Sequence, residues 1–404
     1  MTLCFWGPAA GLIALLGAAP PGDLATSEAQ RQQYWGARYI VDLGRFEFLK
    51  INREEWSRPY IDEQSSHVYL GLRSERLEAR RLGSGEVIWS RPEFGEVGAE
   101  MSEVGGLLLV GQGPRLVALD KYTGREKWAV DVGGTPSGGV AMMNDIAVVP
   151  ARPNAFVGLS ISAEGASVLW RQKRPTPDGL TIRGQAGAYI HPGLELAVLG
   201  FSDGTLLGVE LQSGDVRWLV RLGEPAEQFQ DIDATPLPVG PNGGEILTAS
   251  FNKGVYRLSV EDGSIVYMRS LKNVHGLVRA EPLETIVFST GRGDVLGFDP
   301  DLGRVTWSLN VKDGFPTRPS AAGDGHVWVG TSRGSIHLLD ARTGKPLQAL
   351  SPGSGVSTAP FVRGSNAVLL SNKGMAMILA KGHSQNLSGT LPVDRGPKVV
   401  SPEP

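Results

Sequence analysis

Residues 206–220, LLGVELQSGDVRWLV, decide how this chain is read. Apolar and polar side chains alternate towards Glu210, a short polar turn ends on Gly214, and a second alternating run carries Trp218 four residues later. Alternation with period two marks strands that cover one face, and two such runs around a Gly-containing turn read as a β-hairpin. The pattern recurs at residues 77–91 (LEARRLGSGEVIWSR), 116–130 (LVALDKYTGREKWAV), 295–309 (VLGFDPDLGRVTWSL) and 336–350 (IHLLDARTGKPLQAL). Turn glycines fall at Gly85, Gly124, Gly165, Gly214, Gly263, Gly303 and Gly344, between 39 and 49 residues apart. Trp89, Trp128, Trp218, Tyr267 and Trp307 each follow their glycine by four residues; Trp170 follows by five, and Gln348 takes the aromatic position in the last copy.

A period of about 40 to 50 residues is that of a four-stranded propeller blade. A second turn inside the repeats carries Gly204, Gly254, Gly293, Gly334 or Gly374. Residues 359–380, APFVRGSNAVLLSNKGMAMILA, read as three further strands. The expected fold is all-β, an eight-bladed β-propeller with four-stranded antiparallel blades, its ring closed by an N-terminal strand that completes the last blade. RFEFLKIN, residues 45–52, is the expected closing strand, because an open array would leave bare sheet edges. The recurrent tryptophans are expected to fill the gaps between sheets as scaffold.

Outside the ring, residues 1–20 contain GPAAGLIALLGAA, too short to span a bilayer and long enough for the core of a secretory leader. Residues 21–43 are expected as a linker, 44–381 as the propeller, and 382–404, rich in Pro, Gly and Ser, as a disordered tail. A net charge of -3 provides no basic field for nucleic acid. Cys4 is the single cysteine and the six histidines are scattered, so neither an internal disulfide, a metal centre nor any other cofactor site is expected.

Two segments match the G-x-S-x-G hydrolase pattern, Gly200–Gly204 (GFSDG) and Gly330–Gly334 (GTSRG). A nucleophile elbow needs a strand running into a helix. Both matches fall instead on the inner hairpin turn of a repeat, so their serines read as turn residues and no catalytic residue is assigned. Asp231 and Asp233 in DIDATP lie on one side of an extended segment and read as a solvated pair, or a pair that meets an arginine.

The repeat intervals are more informative. Those from Gly165 to Gly214 and from Gly214 to Gly263 each run to 49 residues, and both excesses fall between one blade's last strand and the next blade's first. The first connection is RQKRPTPDGLTIRGQAG, residues 171–187; the second is RLGEPAEQFQDIDATP, residues 221–236. Insertions in repeat proteins gather on one face, often the binding face. Leu180, Ile182 and Arg183 of the first, with Asp231 and Asp233 of the second, combine apolar anchors with charges of both signs, as a protein-docking patch requires. An alternative is that Arg183 pairs with one of the aspartates while Leu180 and Ile182 pack inward.

With those residues identified, the chain resembles the BamB family of outer-membrane β-barrel assembly factors over roughly residues 40–380. LTIRGQAG is similar to the family's L-x-L-R-G-x-S-A segment, with Ile182 in place of a leucine, and FQDIDATP to its D-V-D-T-T-P segment. The resemblance implies a non-enzymatic periplasmic scaffold at the inner face of the outer membrane. It would dock on the POTRA domains of BamA through Leu180, Ile182, Arg183, Asp231 and Asp233, and assist unfolded outer-membrane proteins. Family members usually carry a lipidated cysteine at the end of the leader, whereas Cys4 has no apolar region before it. Two other classes are open to such a propeller. A quinone-dependent dehydrogenase often carries an adjacent cysteine pair beside its cofactor, which a single Cys4 cannot provide. A glycan-binding or other protein-binding propeller would differ in its rim loops, and a glycan site favours exposed aromatics where the long connections offer only Phe229.

Overall fold

The structure, a computed structural model, describes residues 34–43, 57–71, 76–92, 94–95, 97, 100–176, 186–223, 229–382 and 393–394. Their strands assort into eight sheets, each blade built as a meander of successive antiparallel strands. Blade 1 comprises Tyr60–Asp62, His67–Gly71, Leu77–Arg81 and Val87–Arg91. Blades 2 to 7 follow in chain order over residues 102–131, 135–173, 189–221, 237–269, 274–310 and 320–350. In blade 3 the first strand is divided between Thr135–Pro136 and Ala141–Met143, both pairing with Ile146–Arg152.

Middle strands such as His67–Gly71 and Leu196–Gly200 are buried at every residue, because each sheet lies between two others. The outer strand Val216–Arg221 buries only Trp218 fully and exposes alternate residues to solvent. Eight apolar clusters fill the eight interfaces between successive blades. One of them, containing Trp35, Trp328 and Leu369, joins blades 7 and 8. Another, containing Tyr39, Ile61, Leu70 and Ile378, joins blade 8 back to blade 1.

At Gly85, Gly124, Gly214, Gly263 and Gly344 the turn glycine and an aromatic of the preceding blade belong to one joint. Trp170 of blade 3 lies over the turn of blade 4, where Gly214 has φ +74° and a Cβ would meet the Trp170 ring at 2.5 Å. The indole N–H of Trp170 donates to Leu211 O at 2.9 Å, in that same turn. Glycine is required there twice over, by the left-handed backbone and by the ring above it. Equivalent bonds run from Trp89 to Lys121 O, Trp128 to Ser162 O, Trp218 to Val260 O, Tyr267 to Pro300 O and Trp307 to Ala341 O, all between 2.7 and 3.1 Å. Gln348, which replaces the aromatic in blade 7, exchanges two bonds with the backbone of Trp35, its amide donating to Trp35 O at 2.6 Å and its oxygen accepting from Trp35 N at 2.9 Å.

Closure comes from an N-terminal strand, as the repeat count requires, but from a different one. Blade 8 consists of Phe361–Arg363, Asn366–Leu370 and Met375–Lys381, completed by Trp35–Asp42 antiparallel to Met375–Lys381. The expected strand, residues 45–52, lies outside the described residues, and residues 35–42, expected as linker, form part of the ring. The physical reason is Tyr39. It pairs with Ile378 next to a bulge, as Trp218 pairs with Gly208 next to a bulge in blade 4. Its hydroxyl donates to Arg81 O at 3.0 Å, and its ring covers Gly85, φ +77°, in the turn of blade 1. Tyr39 is the seventh joint aromatic, Gln348 taking the place of the eighth. Of the expected tail, Gly382 and Val393–Asp394 are described, the latter pairing in parallel with the outer side of the closing strand.

Candidate functional site

The second long connection is described from Phe229 onward, and its main chain is held by residues from several blades. Asp231 O accepts from Phe251 N at 2.9 Å, Gln230 O from Ser250 Oγ at 3.3 Å and Ala234 O from Thr248 Oγ1 at 3.1 Å, all in blade 5. Arg318, at the entry to blade 7, donates from Nη2 to Asp233 O at 3.1 Å. Ile232 is seated in the apolar interface of blades 4 and 5, close against Gly200, where a Cβ would sit 2.6 Å from Ile232 Cγ2. A segment between blades thus acquires a fixed path without a regular ladder, because the carbonyls of Gln230, Asp231, Asp233 and Ala234 each find a donor.

Asp231 and Asp233 are therefore not the solvated pair expected from their spacing: they are 3% and 2% exposed. Burial pushes the Asp231 carboxyl above the usual carboxylate range, and a hydrogen bond from Ser202 works against that shift. The arginine that approaches Asp233 is Arg318, which donates to its main-chain carbonyl. Phe229 stands beside them, 41% exposed with φ +59°.

Leu180, Ile182 and Arg183 lie outside the described residues, and both ends of their connection are described. At the far end, Gly187 N donates to Thr235 Oγ1 at 2.9 Å, so the two long connections touch where each enters its blade. At the near end, fully buried Asn154 donates to Pro175 O at 2.9 Å and accepts from Ser202 N at 3.0 Å. Arg174 pairs with Asp203 at 3.1 Å. Asn154, Ser202 and Arg318 were not singled out in the sequence as site residues. Ser202 lies in the GFSDG match, in the inner turn of blade 4, where Gly204 N donates to Phe201 O. Its signal was the motif itself, read for its turn and not for a neighbour twenty-nine residues away. Among the described residues no group of three or more His, Cys, Asp or Glu side chains converges as a metal ion would require.

Eight four-stranded blades, five of whose junctions set a turn glycine under an aromatic from the preceding blade, define a β-propeller of the PQQ-like repeat class. The family model of the outer membrane protein assembly factor BamB matches residues 73–308 and 291–385, and the chain belongs to that family. Among curated relatives, the outer membrane protein assembly factor BamB of Legionella pneumophila (strain Paris) is 29% identical over 45% of this chain and 47% of its own, so that alignment spans about half of the relative. The protein of that name from Yersinia pestis is 21% identical over 77% of this chain and 81% of its own. The crystal structure of BamB from Moraxella catarrhalis superposes with a TM-score of 0.69 at 19% identity, covering 82% of this chain and 98% of that one. A quinohemoprotein alcohol dehydrogenase from Comamonas testosteroni gives a TM-score of 0.70 at 13% identity, over 88% of this chain and 78% of its own. Likeness at such identities attests the fold, which scaffolds and dehydrogenases share.

Proposed function

We propose that this chain is a non-enzymatic scaffold for the assembly of outer-membrane β-barrels, working in the periplasm at the inner face of the outer membrane. It docks on the periplasmic POTRA domains of BamA and helps present unfolded outer-membrane proteins for insertion. In a chain of this family, the observation that supports the reading is the hydrogen bond from Gly187 N to Thr235 Oγ1, which joins the ends of the two long connections where they enter blades 4 and 5. Leu180, Ile182 and Arg183 supply direct contact, two apolar anchors and a guanidinium suited to a carboxylate of the partner. The buried Asp231 and Asp233 act differently. They belong to the wall that gives the rim its shape, next to exposed Phe229.

The test is capture of the full chain by the periplasmic region of the cognate BamA, comparing wild type with Arg183→Glu and Asp231→Asn. Circular dichroism checks that each variant is folded. Charge reversal at Asp231 is unsuitable because a buried lysine would be left without a partner. Binding by wild type and its loss in folded Arg183→Glu supports the reading. Failure of wild type to bind refutes the partner, and undiminished binding by Arg183→Glu refutes the site.

A further inference from the structure

Where the innermost strands converge on the ring axis there is a cavity of about 460 Å³. Its wall contains Arg58, Arg152 and Arg318 against a single Glu100, an excess of two positive charges among those four side chains. The chain as a whole has a net charge of -3, so this bias is local. Arg58 is fixed in place: Nη1 meets Glu100 Oε2 at 3.3 Å, and Nη2 donates to Ser320 Oγ at 3.2 Å and Pro360 O at 3.1 Å. Arg318 is held by Asp233 O, and Arg152 is exposed.

The polar atoms of this wall point the same way. Among the described residues, the buried atoms Arg58 Nε, Ser137 Oγ and Thr358 Oγ1 have no hydrogen-bond partner, and all three side chains line the cavity. Ser137 is only 3% exposed. A buried donor left unmatched costs about 1–3 kcal/mol, so several around one space imply an occupant. Water satisfies hydroxyls of either polarity, but it does not answer an excess of guanidinium charge in a partly desolvated space. An oxyanion does both, since each of its oxygens accepts several hydrogen bonds and charge-assisted bonds are about twice as strong as neutral ones.

We propose that the axial cavity is a binding site for a small multivalent oxyanion, a carboxylate or phosphate compound. Arg58 Nε, Ser137 Oγ and Thr358 Oγ1 donate to it, and Arg152 and Arg318 balance its charge. The site adjoins the rim of the long connections at two points: Thr235, which accepts from Gly187 N, also lines the cavity, and Arg318 holds Asp233 O.

The experiment is calorimetric titration of the purified full chain with inorganic phosphate and, separately, with citrate, at matched ionic strength against sodium chloride. The variants are Arg152→Gln and Thr358→Val, each checked for an unchanged thermal midpoint in the absence of the anion. Saturable binding of either anion, weakened about tenfold or more in both variants, is the expected result. Whichever of the two anions binds more tightly identifies the source as phosphate or carboxylate. Heat that follows ionic strength alone, or equal affinity in wild type and both variants, overturns the proposal. Should Arg152→Gln prove unstable, Thr358→Val alone decides, because it removes a neutral donor and leaves every charge in place. The titration contains no BamA, so its failure and the failure of the docking reading are distinguished.

Discussion

Substitutions at Tyr39 and Gly85 test whether the ring is closed by the same device that joins its other blades. Tyr39→Phe deletes the O–H that donates to Arg81 O at 3.0 Å, and a hydrogen bond of this kind is worth about 1 kcal/mol. Tyr39→Ala also removes a ring that is 6% exposed, and truncating a buried aromatic to alanine costs about 3–5 kcal/mol. Gly85→Ala carries two penalties. Holding an L-residue at φ +77° costs about 1–2 kcal/mol, and a Cβ placed 2.7 Å from Tyr39 Cε2 adds an overpacking term of about 1–3 kcal/mol. With Tyr39 already alanine, the second penalty disappears and the first persists. The double variant should therefore be more stable than the sum of the singles by about 1–3 kcal/mol, the coupling expected of residues in contact. Urea unfolding followed by both tryptophan fluorescence and far-UV circular dichroism measures this, provided that the two curves coincide. Additivity to within about 0.5 kcal/mol would show that the ring of Tyr39 does not cover the turn, and the closure described above would be wrong.

Two further outcomes follow from buried charges. Lys121 is 3% exposed and its ammonium contacts Asp62 at 2.7 Å and Glu103 at 3.0 Å, so Lys121→Met, which strands two carboxylates, should cost about 3–5 kcal/mol at neutral pH. Burial alone would raise the Asp62 carboxyl, but hydrogen bonds from Lys121 and Ser65 outweigh it and hold the carboxyl below its ordinary 3.8. Its stabilisation is present above that value and is lost as pH falls through the lower folded-state value, so the gap between wild type and Lys121→Met should close in acid unfolding curves near and below it. Burial likewise opposes the charge on Lys121, but its two carboxylate partners prevail and push it up to about 12, so the pair is intact throughout the neutral range. Asp231 has the opposite sign: burial raises its carboxyl above 3.8, so the charged form weighs against the fold at neutral pH. Asp231→Asn should unfold at a urea midpoint no lower than wild type at pH 7, with any difference vanishing on acidification, and a clearly lower midpoint would refute that sign.

The blades were legible in the sequence because the joints at Gly85, Gly124, Gly214, Gly263 and Gly344 use two residue types at fixed places. A glycine such as Gly214 must accept a positive φ, and a ring such as that of Trp170 must cover it, so selection for one joint writes both letters about forty residues apart. The closing strand was harder. RFEFLKIN and WGARYIVD both alternate, and local pattern does not separate them. What separates them is register: Tyr39 reaches Gly85 only when it pairs with Ile378, a contact between the two ends of the chain. The site was legible as two long connections and opaque as chemistry. Asp231 and Asp233 read as solvated because charged residues between strands usually are, yet their burial depends on Ser202, Ser250, Thr248 and Arg318, which come from blades 4, 5 and 7.

That dependence bears on how a propeller rim can serve as a docking surface. A loop that carried its own small core could keep its shape when the blades beneath it shift. The connection through Asp231 cannot, because its carbonyls are satisfied by donors set at fixed positions in separate blades, and its apolar residues Leu222, Ile232 and Ala234 enter the interfaces on either side of blade 5. The same holds at the start of the other connection, where Asn154 reaches both Pro175 O and Ser202 N. The path from Gln230 to Ala234 is therefore set by the spacing of the blades, and the ring that fixes this spacing is closed through Tyr39. On the docking reading proposed above, a buried carboxylate raised by its burial, as that of Asp231 is, serves the form of the rim and not stability.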